Sequence, residues 1–202
     1  MRLALRAAAG FLAGLLLWRA LSPAYGRVLA AAAEPVLRLA ERPAATRLYA
    51  EGRQIVVERA DFASRSGRPG LPADDLTANV ILLLTLSATR RRLLRDRSLL
   101  RLLAALGALG LSHVVAVVVA VKALYATQLG AWSAAHYGTV SRNLWVGAAH
   151  FDRVVGCWAV AFVLWWAVVR PGVSAAPPPG RRGRQRGSRR AFRLRGRGSA
   201  PS

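Results

Sequence analysis

The sequence predicts an all-α membrane protein of four transmembrane helices with both termini cytoplasmic. Apolar runs centred near Leu12, Val80, Val117 and Val163 are longer than a soluble domain needs, in a chain of 202 residues that is 54% hydrophobic. Arginine is segregated. Residues 90–97 are almost solid cation, and residues 181–197 hold nine arginines and no acid. Residues 25–75 are instead nearly neutral, with eight arginines against seven carboxylates. Cation-rich segments stay on the cytoplasmic side of a membrane, so the net charge of +21 reports orientation before partners. Spread evenly, that charge would suggest nucleic acid. Its segregation argues for the bilayer, and nucleic acid is not the expected partner.

The first helix is expected within residues 1–22, with an apolar run over 3–21 that follows Arg2 and includes Arg6 near its start. Trp18 and Arg19 suit an interfacial aromatic and a snorkelling cation at its far end. A cleaved signal peptide is the competing reading. Pro23, just past the nearby small-x-small site at Ala20-Leu21-Ser22, opposes cleavage and favours an uncleaved span.

Residues 23–75 read as a small α+β-like extracytoplasmic segment between helices 1 and 2. Residues 28–39 have helical spacing and suit a helix lying on the membrane surface, with Pro35 limiting its regularity. Gln54-Ile55-Val56-Val57-Glu58 is β-like and preceded by the turn signal Glu51-Gly52, so a short hairpin is expected. A segment of about 50 residues is too small for a robust core and should lean on the membrane or a partner.

The second helix, over residues 76–88, is the shortest. Its thirteen residues reach only about 20 Å against a hydrocarbon core of about 30 Å. A re-entrant segment is the alternative, but it would leave the cations of 90–97 outside. The third helix, 102–125, is apolar except for His113 and Lys122. An outer polar loop over 134–153 leads to the fourth, 154–169, closed by Arg170 and Pro171. Residues 76–170 thus hold helices 2–4, and residues 171–202 form a Pro-Gly-Arg-Ser tail that has almost nothing to bury and is expected to be disordered. Anionic lipid is the expected partner of the basic loop 90–97 and of the tail segment 181–197.

Chemistry is sparse. The single Cys157 excludes a disulfide framework, and three scattered histidines (His113, His136, His150) match no metal motif, so neither metal nor cofactor is expected. His113 sits mid-span. Its simplest role is a neutral imidazole hydrogen-bonded to a neighbouring helix, for instance to Ser87 or Asn79, and an ionisable group there is also a functional candidate. Arg142, Asn143, Trp145, His150 and Asp152 crowd the outer loop, and Cys157 follows. A thiolate–imidazolium nucleophile from Cys157 and His150, with Arg142 stabilising an oxyanion, is one reading of these three catalytic candidates. A structural thiol among interfacial polar anchors is the other. An outward Arg142 has no topogenic reason, so it is expected to pair with a carboxylate, either Asp74 or Asp75 or a partner's acid.

Part of the chain resembles a known group. Asp74-Asp75-Leu76-Thr77-Ala78-Asn79 opening a leucine-rich span before a basic loop is similar to a stretch in the exosortase and archaeosortase systems. Ser141-Arg142-Asn143-Leu144, then His150-Phe151-Asp152, Gly156 and a Trp-rich last span, resembles their carboxy-terminal part. In length and span count the chain looks like the exosortase H-associated membrane protein type, over residues 7–170. Arg142 and His150 match that group's Arg and His, but its nucleophilic Cys precedes the Arg, whereas here the only Cys follows both. The resemblance therefore implies a non-catalytic accessory protein of a bacterial inner-membrane sorting or envelope system, with an exosortase-type membrane protein as partner. It implies partner contacts at Asp74, Asp75, Asn79, Arg142, Asn143, Trp145 and Asp152. The alternatives are a minimal thiol transpeptidase or peptidase using Cys157, His150 and Arg142, and a transporter or channel subunit, for which only His113 and Lys122 speak.

Overall fold

The computed structural model describes residues 2–41, 46–59, 68–89 and 96–169. The arginine run 90–95 and the tail from residue 170 lie outside them. The described chain is mostly helical with one small sheet. Its order is α1 (Arg2–Leu39), β1 (Arg47–Glu51), β2 (Gln54–Glu58), β3 (Gly70–Pro72), α2 (Ala73–Thr77), α3 (Asn79–Ala88), α4 (Asp96–Thr127), α5 (Ala131–His136), α6 (Thr139–Phe151) and α7 (Cys157–Leu164). One wide π turn, Asp152–Gly156, joins α6 to α7, and a second, Trp165–Val169, continues the same rod. Three helices are long and apolar enough to cross a membrane: Leu3–Leu39, Leu99–Thr127 and Thr139–Ala167.

The first helix does not stop at residue 22. It runs 38 residues through Pro23 and Pro35, about 57 Å at 1.5 Å per residue, which is nearly twice a hydrocarbon core. The expected surface helix over 28–39 is therefore the upper half of α1. A proline forfeits one hydrogen bond, but packing holds the rod together: Leu29, Ala30, Ala33 and Leu37 are buried against the sheet and the end of α4. Its lower half is largely exposed and closes on α3 through small residues. A Cβ on Gly10 would lie 2.4 Å from the Ala88 Cβ, and one on Gly14 would lie 3.4 Å from the Leu84 Cβ. Gly10 and Gly14 are four apart, the spacing that lets membrane helices approach closely.

The expected hairpin is present, with a third strand beyond it. β1 pairs antiparallel with β2 (Leu48 opposite Val57), and β2 with β3 (Ile55 opposite Leu71). Gly52 turns the hairpin at φ 63, a left-handed conformation that glycine adopts without strain. The outer edge of β1 is satisfied by α1: the Leu48 N–H donates to Glu34 (2.9 Å), and Arg38 Nε donates to the Thr46 carbonyl (3.0 Å). Leu48, Ile55 and Val57 join Val117, Val121, Leu124 and Tyr125 of α4 in one core. A second core, Leu83, Leu102, Ala105, Leu109 and Ala161, lies between α3, α4 and α7.

The expected polar loop 134–153 is also corrected. It is almost all helix, α5 followed by α6, and α6 runs without a break in the chain's helical path into α7. Polar side chains there led to a loop reading, but α6 keeps a regular apolar row, Val140, Leu144 and Phe151, on an exposed face.

Candidate functional site

Three polar constellations stand out, and they lie at different places along the helices. The first crosses the helical interior. His113 is buried, with Nδ1 2.8 Å from the Tyr25 hydroxyl and Nε2 2.7 Å from Asn79 Oδ1. Asn79 Nδ2 donates to the Cys157 carbonyl at 2.7 Å. For a neutral ring these contacts assign the tautomer. The Asn79 oxygen can only accept, so His113 Nε2 carries the hydrogen, and Nδ1 accepts from the Tyr25 O–H. One neutral imidazole thus ties α1, α4, α3 and α7 together. Of the two partners expected for His113, Asn79 is the one it meets; Ser87 is buried elsewhere on α3. Tyr25 was not foreseen, because nothing in a sequence aligns residue 25 with residue 113.

The second is a buried ionic cluster that composition gave no sign of. Glu41 accepts from the Thr46 hydroxyl at 2.5 Å and pairs with Arg59 at 3.2 Å and Lys122 at 3.5 Å. The Thr46 hydroxyl, having donated to Glu41, accepts from Tyr125 at 2.6 Å. The Arg59 guanidinium lies over the rings of Tyr125 (5.6 Å) and Trp132 (5.4 Å). Burial, and then the Glu41 charge, push the nearby Tyr137 hydroxyl above its ordinary value, with Arg59 opposing. Lys122, one of the two polar exceptions in the expected third helix, is an inward-facing partner of Glu41. The cluster joins the end of α1, the sheet, α4 and α5, with two cations sharing one carboxylate at short range.

The third is a cleft of about 330 Å³ between β3, α2, α4 and the α6–α7 rod. Leu76, Ala120 and Ala123 are among its apolar lining, and Asp75, His150, Asp152, Arg153 and Cys157 supply its polar groups. The Asp75–Arg153 pair (3.1 Å) is exposed at its mouth. Asp152 lies on the π turn, half-buried, and Gly156 makes room for it: a Cβ there would meet Asp152 Oδ1 at 3.1 Å. Among the described residues, Asp152 has neither an ion pair nor a hydrogen-bond partner. The Cys157 thiol points back along its own helix to the Arg153 carbonyl, 3.5 Å away.

The structure therefore gathers His150, Asp152, Cys157 and Asp75 along one cleft, and it puts Arg142 elsewhere. Arg142 lines a separate recess with Tyr137 and Gly130. The carboxylates expected to meet it are taken. Asp74 binds Arg53 at 3.0 Å and accepts from Ser22, while Asp75 binds Arg153. Among the described residues, no acidic side chain reaches Arg142. Asn143 is exposed next to it, and Trp145 is half-buried. Asn79 lies in the interior relay and not on an outer face. Among the described residues no group of three or more His, Cys, Asp or Glu side chains could hold a metal ion.

No protein-family model matches the chain, and no curated protein or solved structure is significantly similar to it.

Proposed function

We propose that this chain is a non-catalytic accessory protein of a bacterial cytoplasmic membrane, crossing it four times with both termini inside. Its partner would be an exosortase-type membrane protein of a sorting or envelope system. The observation that carries the accessory reading is α6. Over its thirteen residues it buries none, while Val140, Arg142, Asn143 and Leu144 are all exposed on a rigid helix. Side chains of that kind on an ordered surface are the material of a protein contact. Among the described residues no acid reaches Arg142, which suits a carboxylate on the partner.

The four crossings would be α1, α2 with α3, α4, and the α6–α7 rod. Ala78 keeps helical angles (φ −61, ψ −22), so α2 and α3 make one near-continuous stretch of about 24 Å at 1.5 Å per residue. That is short of a full core, and local thinning of the bilayer accommodates the difference. It leaves the arginines of 90–97 inside, as the positive-inside rule asks. In a Cys157→Ala background, impermeant thiol reagents should label a cysteine at Ala135 and not one at Ser188. Labelling from outside at position 95 would remove the second crossing.

A photo-crosslinker at Leu144 should trap a polytopic sortase-like protein in membranes of the native host, and Arg142→Ala should reduce that yield with normal insertion. Undiminished crosslinking by Arg142→Ala would sink the acidic-partner reading. A thiol transpeptidase or peptidase is the second reading, favoured by Cys157 and His150 sharing a cleft. Full pathway function of Cys157→Ala would eliminate it.

A further inference from the structure

The cleft holds an unexplained group. Asp152 is a half-buried carboxylate without a partner among the described residues, on a helix otherwise apolar enough to cross a membrane. Leaving such a charge unmatched is costly at that depth, and an ionisable residue there marks a ligand or pathway by default. The backbone is shaped around it. A π turn widens the helix at Asp152–Gly156, and a glycine stands where any side chain would press on its Oδ1. Such turns recur where a helix is adapted to a ligand.

The surroundings narrow the ligand. Opposite the carboxylate, Ala116, Ala120 and Ala123 of α4 give a smooth apolar wall. Both walls belong to helices long and apolar enough to cross a membrane. At the mouth, Arg153 keeps guanidinium donors beyond the one it gives Asp75, and the exposed His150 ring stands beside it. A headgroup that enters this cleft ammonium-first sets its ammonium on Asp152 and its anion on Arg153 at the mouth, with the apolar chains leaving past the mouth. The volume of about 330 Å³ suits a headgroup.

We propose that the cleft is a binding site for a phosphoethanolamine lipid headgroup, with the primary ammonium on Asp152 and the phosphate on Arg153 and His150. The site rests on the membrane placement proposed above and not on the accessory role. An N–H donor is essential to the assignment, because a carboxylate at the end of a narrow cleft bonds a primary ammonium directly and a trimethylated one only at longer range.

The test is native mass spectrometry of the full chain released from detergent micelles. Dioleoyl phosphatidylethanolamine, phosphatidylcholine and phosphatidylglycerol would be added in turn, with free phosphoethanolamine as a competitor without chains. The expected result is preferential retention of the ethanolamine lipid, weak competition by the free headgroup, and about a tenfold loss of affinity in Asp152→Asn. Ala120→Leu, which fills the cleft and leaves the carboxylate in place, should abolish the preference too. It decides the matter alone if Asp152→Asn does not fold. Equal retention of the ethanolamine and glycerol lipids, or an unchanged preference in a folded Ala120→Leu, overturns the proposal. Full competition by the free headgroup overturns the lipid assignment. None of these outcomes touches crosslinking at Leu144, so failure here and failure of the accessory reading are separate results.

Discussion

The two halves of this molecule, which the proposed topology places outside the bilayer (the outer half) and within it (the inner half), are held together by different physics. Above Ser22, α1 packs on the sheet and α4 through a mixed core, sealed by a buried carboxylate with two cations and two hydroxyls around it. Below it, the same helix touches α3 through Gly10 and Gly14, and the interior holds one imidazole relay among aliphatic side chains. In the outer half, apolar burial is driven by water and the charges must be matched once they are buried. In the inner half, lipid is as apolar as leucine, so association depends on close fit and a few hydrogen bonds. A single change should therefore cost most where a charge loses its partner, less where a fit is spoiled, and least where one neutral hydrogen bond goes.

Glu41→Ala is the largest expected effect. It leaves Arg59 and Lys122 buried around an empty position, a loss of about 3–5 kcal/mol for one partner of a buried pair. Limited proteolysis in detergent should open the sheet region while α4 and the α6–α7 rod stay protected. An unaltered digestion pattern would mean that the cluster does not hold the outer half. Gly10→Leu comes next. Its Cβ and branches collide with Ala88, at a cost of about 1–3 kcal/mol for overpacking, and disulfide trapping between cysteines placed on α1 and α3 should fall. The outer half should keep its protease resistance, and if both halves loosen together they are not separate units of stability.

His113→Leu should cost less, about 1 kcal/mol, because hydrogen bonds between membrane helices average well under that each and the replacement is apolar. Thermal unfolding followed by tryptophan fluorescence would read it. A loss matching that of Glu41→Ala would show that the relay is a principal clamp, which reverses the contrast drawn above. Arg142→Ala should be the smallest, within about 0.5 kcal/mol, since the side chain is exposed and unpaired among the described residues. Its measurable consequence is reduced co-purification with the membrane partner.

The same contrast explains which parts were legible from sequence. Long apolar helices, a hairpin at Gln54–Glu58 and an inward, hydrogen-bonded His113 follow from local pattern, because length, alternation and the cost of burying a polar group are local quantities. The continuation of α1 through Pro23 was not legible, since Pro23 is a break signal on its own and only the packing of Leu29, Ala33 and Leu37 overrides it. The helicity of residues 134–153 was hidden by polar side chains on a helix that buries nothing. The Gly10–Gly14 contact carried a readable signal, two glycines four apart in an apolar run. The Glu41 cluster carried none, because its members come from positions 41, 46, 59, 122 and 125.

Candidate sites divide in the same way. Residue type marked Asp152, His150 and Cys157 as chemically able, and they do line one cleft. Residue type also grouped Arg142 with them, and it set Asp74 and Asp75 as its acids. Instead Arg53 and Arg153 occupy those carboxylates, since the strands and the π turn bring them within 3.0 and 3.1 Å. By itself the sequence determined that the chain is helical, apolar enough for a membrane and asymmetrically charged, because these properties sum over neighbouring residues. Only the tertiary structure decided which charges are buried together, which groups His113 meets and which half-buried carboxylate has no partner among the described residues. Each of those depends on a contact of a few ångströms between residues tens of positions apart, and no local pattern encodes such a distance.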